Sequence, residues 1–319
     1  MTPAGKAGSF CRMASQGCDV GACGEADWQP ALELVLRDLP AAQRGPLIDS
    51  LAKLRGEPLG PFDALVAAKL RGRMMGAVWA QPQPGRTAAV WLPQLRPGAG
   101  SGAAEQLLAA AMRCVDARGV QLTQCLLEPA DDAHTPMLCA CGFNHLAELH
   151  YLAWQPQDQP VAANGATGVA FVPAGQVNRP ALERLIAATY QDTLDCPELN
   201  GVRAMADVVS GYTLTGDHDP DLWFVIRRGS VDVGVVLLTE HLASKQAELL
   251  YMGLVPAARG DGIGRVAVRH AQRLTRERRA ERLVLAVDTR NGPARAAYAN
   301  AGFFPWATRV VYTRPRPTT

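Results

Sequence analysis

Val255-Pro-Ala-Ala-Arg-Gly-Asp-Gly-Ile-Gly-Arg265 is the stretch on which the reading of this chain turns. It ends a short apolar run, Ala247-Glu-Leu-Leu-Tyr-Met-Gly-Leu-Val255, that has the composition of a strand. It leads into Ile263, Val266, Ala267, His270, Ala271 and Leu274, which recur at helical spacing in an Arg-rich segment. The local order is strand, glycine turn, helix. Such a turn brings several backbone N–H groups to one point at the positive end of the helix dipole, which suits a phosphate or pyrophosphate. It is not a dinucleotide fingerprint, because Arg265 or Ala267 stands where the third glycine of G-x-G-x-x-G must fall. It is not a P-loop, because no Gly-Lys-Ser/Thr triplet occurs. What remains is R-x-x-G-x-G from Arg259, Gly262 and Gly264, a pattern that an ordinary tight turn also satisfies.

Working outward, the same half carries strand-like runs at Val169 to Pro173, Leu222 to Ile226, Val231 to Leu238 and Glu248 to Val255. Helical periodicity marks Arg179 to Tyr190, a shorter segment from Ala204 to Val209, and the segment from the glycine turn to about Ala280. A strand at Leu283 to Val287, a helix from Pro293 to Ala301, Gly302-Phe303 and a strand from Ala307 to Tyr312 close the chain. The first half has the same order. A strand at Val20 to Cys23 precedes a helix that starts at Asp27-Trp-Gln-Pro, buries Leu32, Val35, Leu36 and Leu39 and ends at Pro40. Leu47, Leu51 and Leu54 mark a second helix, and Phe62 to Leu70, Met74 to Ala80 and Thr87 to Leu95 are strands. Then come Arg96-Pro-Gly-Ala-Gly-Ser-Gly102, a helix from Ala103 to Ala117, a strand from Val120 to Leu127, a short helix from His134 to Cys141, Gly142-Phe143, and a last strand or strands over residues 144–154.

Superposing the halves sets Leu92-Pro93 on Val255-Pro256, Arg96 on Arg259, and Gly142-Phe143 on Gly302-Phe303. Repeated element order at a nearly constant offset indicates internal duplication. Gln155-Pro-Gln-Asp-Gln-Pro-Val-Ala-Ala-Asn-Gly165 has linker composition. The expected organisation is a loose lead-in over 1–16, a first domain over 17–154, a linker over 155–166 and a second domain over 167–319.

At 319 residues the chain has the length of two domains, and 48% apolar with 19% charged residues is enough to build packed cores. The net charge of +2 argues against a general nucleic-acid or membrane binder. Up to residue 160 there are 13 Lys/Arg against 15 Asp/Glu, and after it 19 against 15, so the positive excess lies in the half with the glycine turn. No run reaches the 18 or so apolar residues of a membrane span. The first 20 residues lack an apolar core, so the expected location is the cytoplasm. The eight cysteines are scattered, which favours reduced, mostly buried thiols. Cys139-x-Cys141 lacks a second pair, and no metal site is expected.

A second signature then gives the glycine turn its context: Asn291-x-x-Ala294-x-x-x-Tyr298-x-x-x-Gly302-Phe303. With R-x-x-G-x-G in the right order and spacing, residues 167–314 resemble the GNAT acyltransferase superfamily. The resemblance implies an α/β (α+β) fold, here two tandem GNAT-like domains, each a mixed, mostly antiparallel sheet flanked by helices. It implies acetyl-CoA as acyl donor and an amine of a small molecule or peptide as acceptor, joined by direct attack in a ternary complex. It implies that the strand leading to the turn splays from its neighbour, so that Met252, Gly253 and Leu254 meet the pantetheine arm. Arg259, Gly260, Asp261, Gly262, Ile263, Gly264 and Arg265 would then hold the pyrophosphate, and Asn291 would contact the cofactor. Arg265, Arg269 or Arg273 would reach the 3′-phosphate, or form a solvated helix face.

Tyr298 stands at the family's position for the acid that protonates the leaving thiolate, a step open to a phenol with a reference pKa of about 10. A buried structural tyrosine is the alternative. Glu248 stands where many members carry a catalytic base, and strand alternation would place it on one face with Leu250 and Met252. A solvated strand end is the alternative, and Glu240 and His241 are second candidates. Asp192, Asp195 and Glu198, between the first two helices of this half, would favour a cationic amine or form a solvated acidic loop. In the first half, Leu138 stands for Tyr298, Asp131 for Asn291, Gly85 for Glu248, and Ala99 and Ser101 for Gly262 and Gly264. The first copy is therefore expected to keep the fold without the chemistry. A catalytically silent acyl-CoA-binding or partner-binding module is the competing reading.

Overall fold

A computed structural model describes residues 18–40, 47, 60–130, 132–156 and 168–317. The first half supplies β1 (Asp19–Ala22), α1 (Glu25–Val35), β2 (Leu65–Leu70), β3 (Arg73–Gln83), β4 (Thr87–Leu95), α2 (Ala103–Ala117), β5 (Leu122–Leu127), α3 (Thr135–Ala140) and β6 (Asn144–Trp154). The second supplies β7 (Val169–Pro173), α4 (Arg179–Tyr190), α5 (Met205–Leu214), β8 (Trp223–Arg228), β9 (Val231–His241), β10 (Gln246–Leu254), α6 (Ile263–Glu277), β11 (Arg282–Asp288), α7 (Gly292–Asn300) and β12 (Phe304–Pro315). The two halves therefore repeat one mixed, mostly antiparallel pattern, as the periodicities indicate. The expected lead-in, the helix around Leu51 and Leu54, Asp131 and most of the linker lie outside the described residues.

All strands join one twelve-stranded sheet in the order β1-β2-β3-β4-β5-β12-β6-β11-β10-β9-β8-β7. Its centre is an exchange that the local patterns do not show. β12, from the second half, pairs with β5 and β6 of the first, and β6 pairs with β11 of the second. The cores follow the exchange. Leu152 and Trp154 of β6 are buried in the core of the second half, beside Leu285, Tyr298 and Phe303. Tyr312 of β12 is buried in the core of the first, where its hydroxyl lies 3.0 Å from Thr135 Oγ1.

Only β4–β5 and β10–β11 are parallel, and each pair holds for three residues before the strands part. α1 begins at Glu25, two residues earlier than expected, and carries Pro30 inside it. The residues it buries are Ala31, Leu34 and Val35. α5 runs on to Leu214, beyond the expected Val209. The cysteines from Cys18 onward are unbridged, but only Cys125 is buried and Cys139 is exposed, so packing holds fewer of them than expected. Among the described residues no helix is long and apolar enough to cross a membrane, and no group of three metal-ligating side chains occurs.

Candidate active site

The site is built where β10 and β11 part. Their pairing runs Gln246↔Arg282, Ala247↔Leu283 and Glu248↔Val284, and then stops. From there Met252, Gly253 and Leu254 continue only with β9, so one edge of this strand segment is open, as the resemblance implied. The strand also carries a bulge: Leu249 pairs with Leu238 and Tyr251 with Leu237, which leaves Leu250 as the extra residue. The extra residue reverses the alternation beyond it. Glu248 therefore shares its face with Tyr251 and Gly253, whereas Met252 shares the face of Leu249, which corrects the expected grouping of Glu248 with Met252.

Glu248 and His241, named separately from the sequence, form a pair with Oε2 and Nε2 2.7 Å apart, each about one-third exposed. Glu240 turns to the other face, where Arg278 lies 3.7 Å from it and ties it to α6. The Glu248 face is the one on which α4 and α5 pack. Tyr251 there places its hydroxyl 2.7 Å from Thr189 Oγ1, and Tyr190 and Tyr212 share a 3.0 Å hydroxyl contact beside it.

At the glycine turn, Gly262 is the N-cap of α6 at φ +80°, a left-handed conformation that glycine adopts without strain. No side chain caps the helix. A methyl group built on Gly260 or Gly264 would meet open space. Among the described residues the N–H groups of Gly260 to Gly264 carry no hydrogen bond, so the helix start presents unpaired donors. Ile263 is buried and anchors the turn to the core.

Two charged residues of the motif have other partners. Arg259 donates from Nε to Leu254 O (3.0 Å), from Nη1 to Asp192 O (2.8 Å), and from Nη2 to Thr189 O (3.0 Å) and Gln191 O (2.7 Å). It staples the end of β10 to the end of α4 rather than pointing at the turn. Asp261 pairs with Arg228 at 2.7 Å, so its contribution to the turn is its backbone. Arg265 lies over Gly262, and Arg273 is engaged by His270 at 2.7 Å and Glu277 at 3.5 Å.

Tyr298, on α7, is 6% exposed and packs its ring 5.5 Å from Phe303, and its hydroxyl makes no hydrogen bond among the described residues. Burial, and then the charge of Asp195, push its phenol well above the usual tyrosine range. It is thus a buried tyrosine that keeps its proton. Asn291 caps α7, its Oδ1 accepting from Ala294 N (3.2 Å).

In the acidic loop the carboxylates of Asp195 and Glu198 are engaged, whereas Asp192 is exposed and is held by Arg259 through its carbonyl. Asp195 accepts from Asp288 N at 2.9 Å, and desolvation followed by the neighbouring Asp288 raises its pKa. Burial would raise Asp288 as well. It is nevertheless held below the usual range by hydrogen bonds from Arg290 and from Cys196 N. Arg290 clamps Glu198 at 2.7 and 3.0 Å. The loop is thereby fixed to the end of β11.

In the first half, α2 starts after Gly102 as α6 starts after Gly262, an offset of 160 that agrees with the Gly142/Gly302 pair. Ala99, not Arg96, is therefore the counterpart of Arg259, and Ala104 that of Gly264. The methyl of Ala99 is buried against Met75 and Ala103, and its carbonyl accepts from Cys18 Sγ. Leu138 is fully buried at the Tyr298 position. Gly85 does not align with Glu248; it lies in the β3–β4 turn, where its carbonyl accepts from Arg203 of the second half at 3.2 Å.

Residues 186–303 match the model of the acetyltransferase (GNAT) family. Mycothiol acetyltransferase from Streptomyces bingchenggensis is 32% identical over 94 residues, 30% of this chain and 30% of that protein. Mycothiol acetyltransferase from Beutenbergia cavernae is 35% identical over 101 residues, 30% of this chain and 33% of that protein. The matched stretch thus spans about a third of each relative's length. A GCN5-related N-acetyltransferase structure from Sphaerobacter thermophilus superposes with TM-score 0.61 at 17% identity, covering 96% of this chain and 98% of that one. A tandem GNAT protein from the clavulanic acid biosynthesis pathway superposes with TM-score 0.52 at 15% identity, covering 95% and 99%. Residues 186–303 are accordingly similar to the acetyltransferase (GNAT) family, and the chain as a whole shares its fold with tandem GNAT proteins.

Proposed function

We propose that the chain is an acetyl-CoA-dependent N-acetyltransferase, that its second half (167–319) is the catalytic domain, and that the acceptor is an amine of a small molecule or peptide. The observation that carries this reading is the conjunction at the β10–β11 opening of a strand edge freed beyond Glu248 with an uncapped helix start that has open glycines. The family match, and the mycothiol acetyltransferases similar over about a third of their length, support acyl transfer to a small molecule.

The residues present fit acetyl-CoA, because a glycine cradle with unpaired N–H groups at a helix start suits its pyrophosphate. Bound there, acetyl-CoA supplies the activated thioester. Gly260 to Arg265 hold the pyrophosphate through backbone N–H groups, and Met252 to Leu254 offer backbone groups to the pantetheine arm. Glu248, paired with His241, takes the proton that a protonated amine must lose before attack. Tyr298 gives its phenolic proton to the departing sulfur. Arg259 holds the framework, joining β10 to α4. The first half (17–154), with Ala99, Leu138 and Ala104 at the counterpart positions, keeps the fold without an acid.

Thiol release from acetyl-CoA across a panel of amines tests the reading. Tyr298→Phe is expected to lower kcat by about a hundredfold or more, the range of general acid catalysis, with acetyl-CoA affinity unchanged. Acetyl-CoA binding without turnover on any amine would favour a silent cofactor-binding module instead.

A further inference from the structure

The Glu248 face of the sheet continues past the strand opening into residues that come from both halves. Glu248 stands opposite Val284 on β11. Two residues along, Ala286 pairs with Tyr151 of β6, and Tyr151 pairs in turn with Ala307 of β12. Residues paired across adjacent strands share a face, so Glu248, Val284, Ala286, Tyr151 and Ala307 look the same way. Tyr151 therefore lies two strands from Glu248, at about 4.8 Å per strand, and two residues, about 6.6 Å, further along. The side chains between them on β11 are those of Val284, which is buried, and Ala286, a single methyl group that is exposed. A groove with a low floor therefore lies between the carboxylate and the phenol.

The far wall of that groove is aromatic and exposed. The register of β12 slips between Pro305 and Ala307, which makes Trp306 a bulge residue. Its indole stands edge-on to Tyr151, with ring centroids 5.8 Å apart and planes at 76°. Trp306 is 56% exposed and its neighbour Phe304 45% exposed. The charge of Glu248 reaches the Tyr151 phenol, which burial already holds above the usual range, so it stays protonated as a hydrogen-bond donor. One end of the groove is anionic and the other presents ring edges and faces. A primary ammonium suits the first, and the apolar face of an aryl or sugar ring suits the second.

We propose that Tyr151, supplied by the first half, and Trp306 form an acceptor subsite that selects primary amines carried on a ring-bearing scaffold over simple alkylamines. The proposal rests on the acetyltransferase reading of the second half for its link to catalysis. It gives the first half a part in substrate selection, with Tyr151 and Trp306 as specificity-determining residues.

The test is a calorimetric titration of the full chain, without cofactor, with phenethylamine, glucosamine and n-butylamine. Acetyl-CoA is titrated separately into each variant as a check of folding. At least one ring amine is expected to bind about tenfold more tightly than n-butylamine, phenethylamine alone pointing to an aryl acceptor and glucosamine alone to a sugar. Tyr151→Ala and Trp306→Ala are each expected to erase that preference, and Tyr151→Phe to retain most of it, with acetyl-CoA affinity the same throughout. No preference in the wild-type chain, or one that survives Tyr151→Ala, would overturn the proposal. Failure of the wild-type chain to bind acetyl-CoA would instead sink the transferase reading, which the amine titrations do not address.

Discussion

Gly253 shows how little freedom single positions in the site have. A Cβ there would lie 2.5 Å from the Tyr251 hydroxyl and 2.6 Å from Thr189 Oγ1, both held by their mutual hydrogen bond. Gly253→Ala is therefore expected to destabilise the protein by roughly 1–3 kcal/mol, the usual cost of overpacking. Differential scanning calorimetry should show a melting point several degrees lower, with part of the loss recovered in a Tyr251→Phe background that removes one of the obstructing oxygens. An unchanged melting point would mean that the tyrosine yields without cost. The sequence marks this glycine as part of a strand near a turn, but not what crowds it. Arg259 repeats the lesson: its motif position suggests an anion, while its four donated hydrogen bonds go to carbonyls, three of them on a segment about seventy residues earlier.

In α6, the helix that starts at the glycine turn, periodicity locates the apolar stripe correctly but includes one residue of unusual chemistry. His270 is 5% exposed, stacks on Phe171 at 3.7 Å and meets Phe224 edge-on, and its Nε2 has no partner among the described residues. Burial, assisted by the Arg273 charge, pushes its pKa from 6.5 down to about 3. Between those values the unfolded chain takes up a proton that the folded chain refuses. The stability associated with neutral His270 is thus fully present above pH 6.5 and is lost as the pH falls toward 3. The melting temperature of the wild-type chain should fall more steeply from pH 7 to pH 4 than that of His270→Phe, which keeps the ring stack and cannot titrate. Equal slopes would show that the acid sensitivity lies elsewhere. In β10, by contrast, the alternating pattern misleads, because one extra residue at Leu250 carries no compositional mark yet reverses every side chain after it.

The exchange of β6 and β12 makes the two halves a single folding unit. Residues 168–317 expressed alone would lack the strand that stands between β11 and β12, and would leave Phe303 without Trp154, whose ring lies 6.5 Å away. That fragment is expected to aggregate or remain unfolded by circular dichroism and size-exclusion chromatography, and co-expression with residues 18–156 to recover a one-to-one complex. A folded, monomeric fragment would contradict the exchange. Within the intact chain, Trp154→Ala should cost about 3–5 kcal/mol in denaturant unfolding, as for other large buried aromatics, although it changes the first half of the sequence and empties the core of the second.

The element types, the repeat, the glycine turn and the Asn291–Tyr298 signature are all legible in the chain, because each depends on residues a few positions apart whose spacing sets which way they face. The bounds of α2, α4 and β7 coincide with their periodic segments for the same reason. The repeat offset is less secure: three glycines in Gly98 to Gly102 allow more than one register, and the N-caps Gly102 and Gly262 resolve it at 160. The exchanged strands, the bulge at Leu250, the carbonyls that hold Arg259 and the place of Tyr151 beside the Glu248 face are settled by folding. Each depends on hydrogen bonds or packing between segments up to about 190 residues apart, and main-chain pairing between strands is blind to side-chain identity, so no local pattern encodes it.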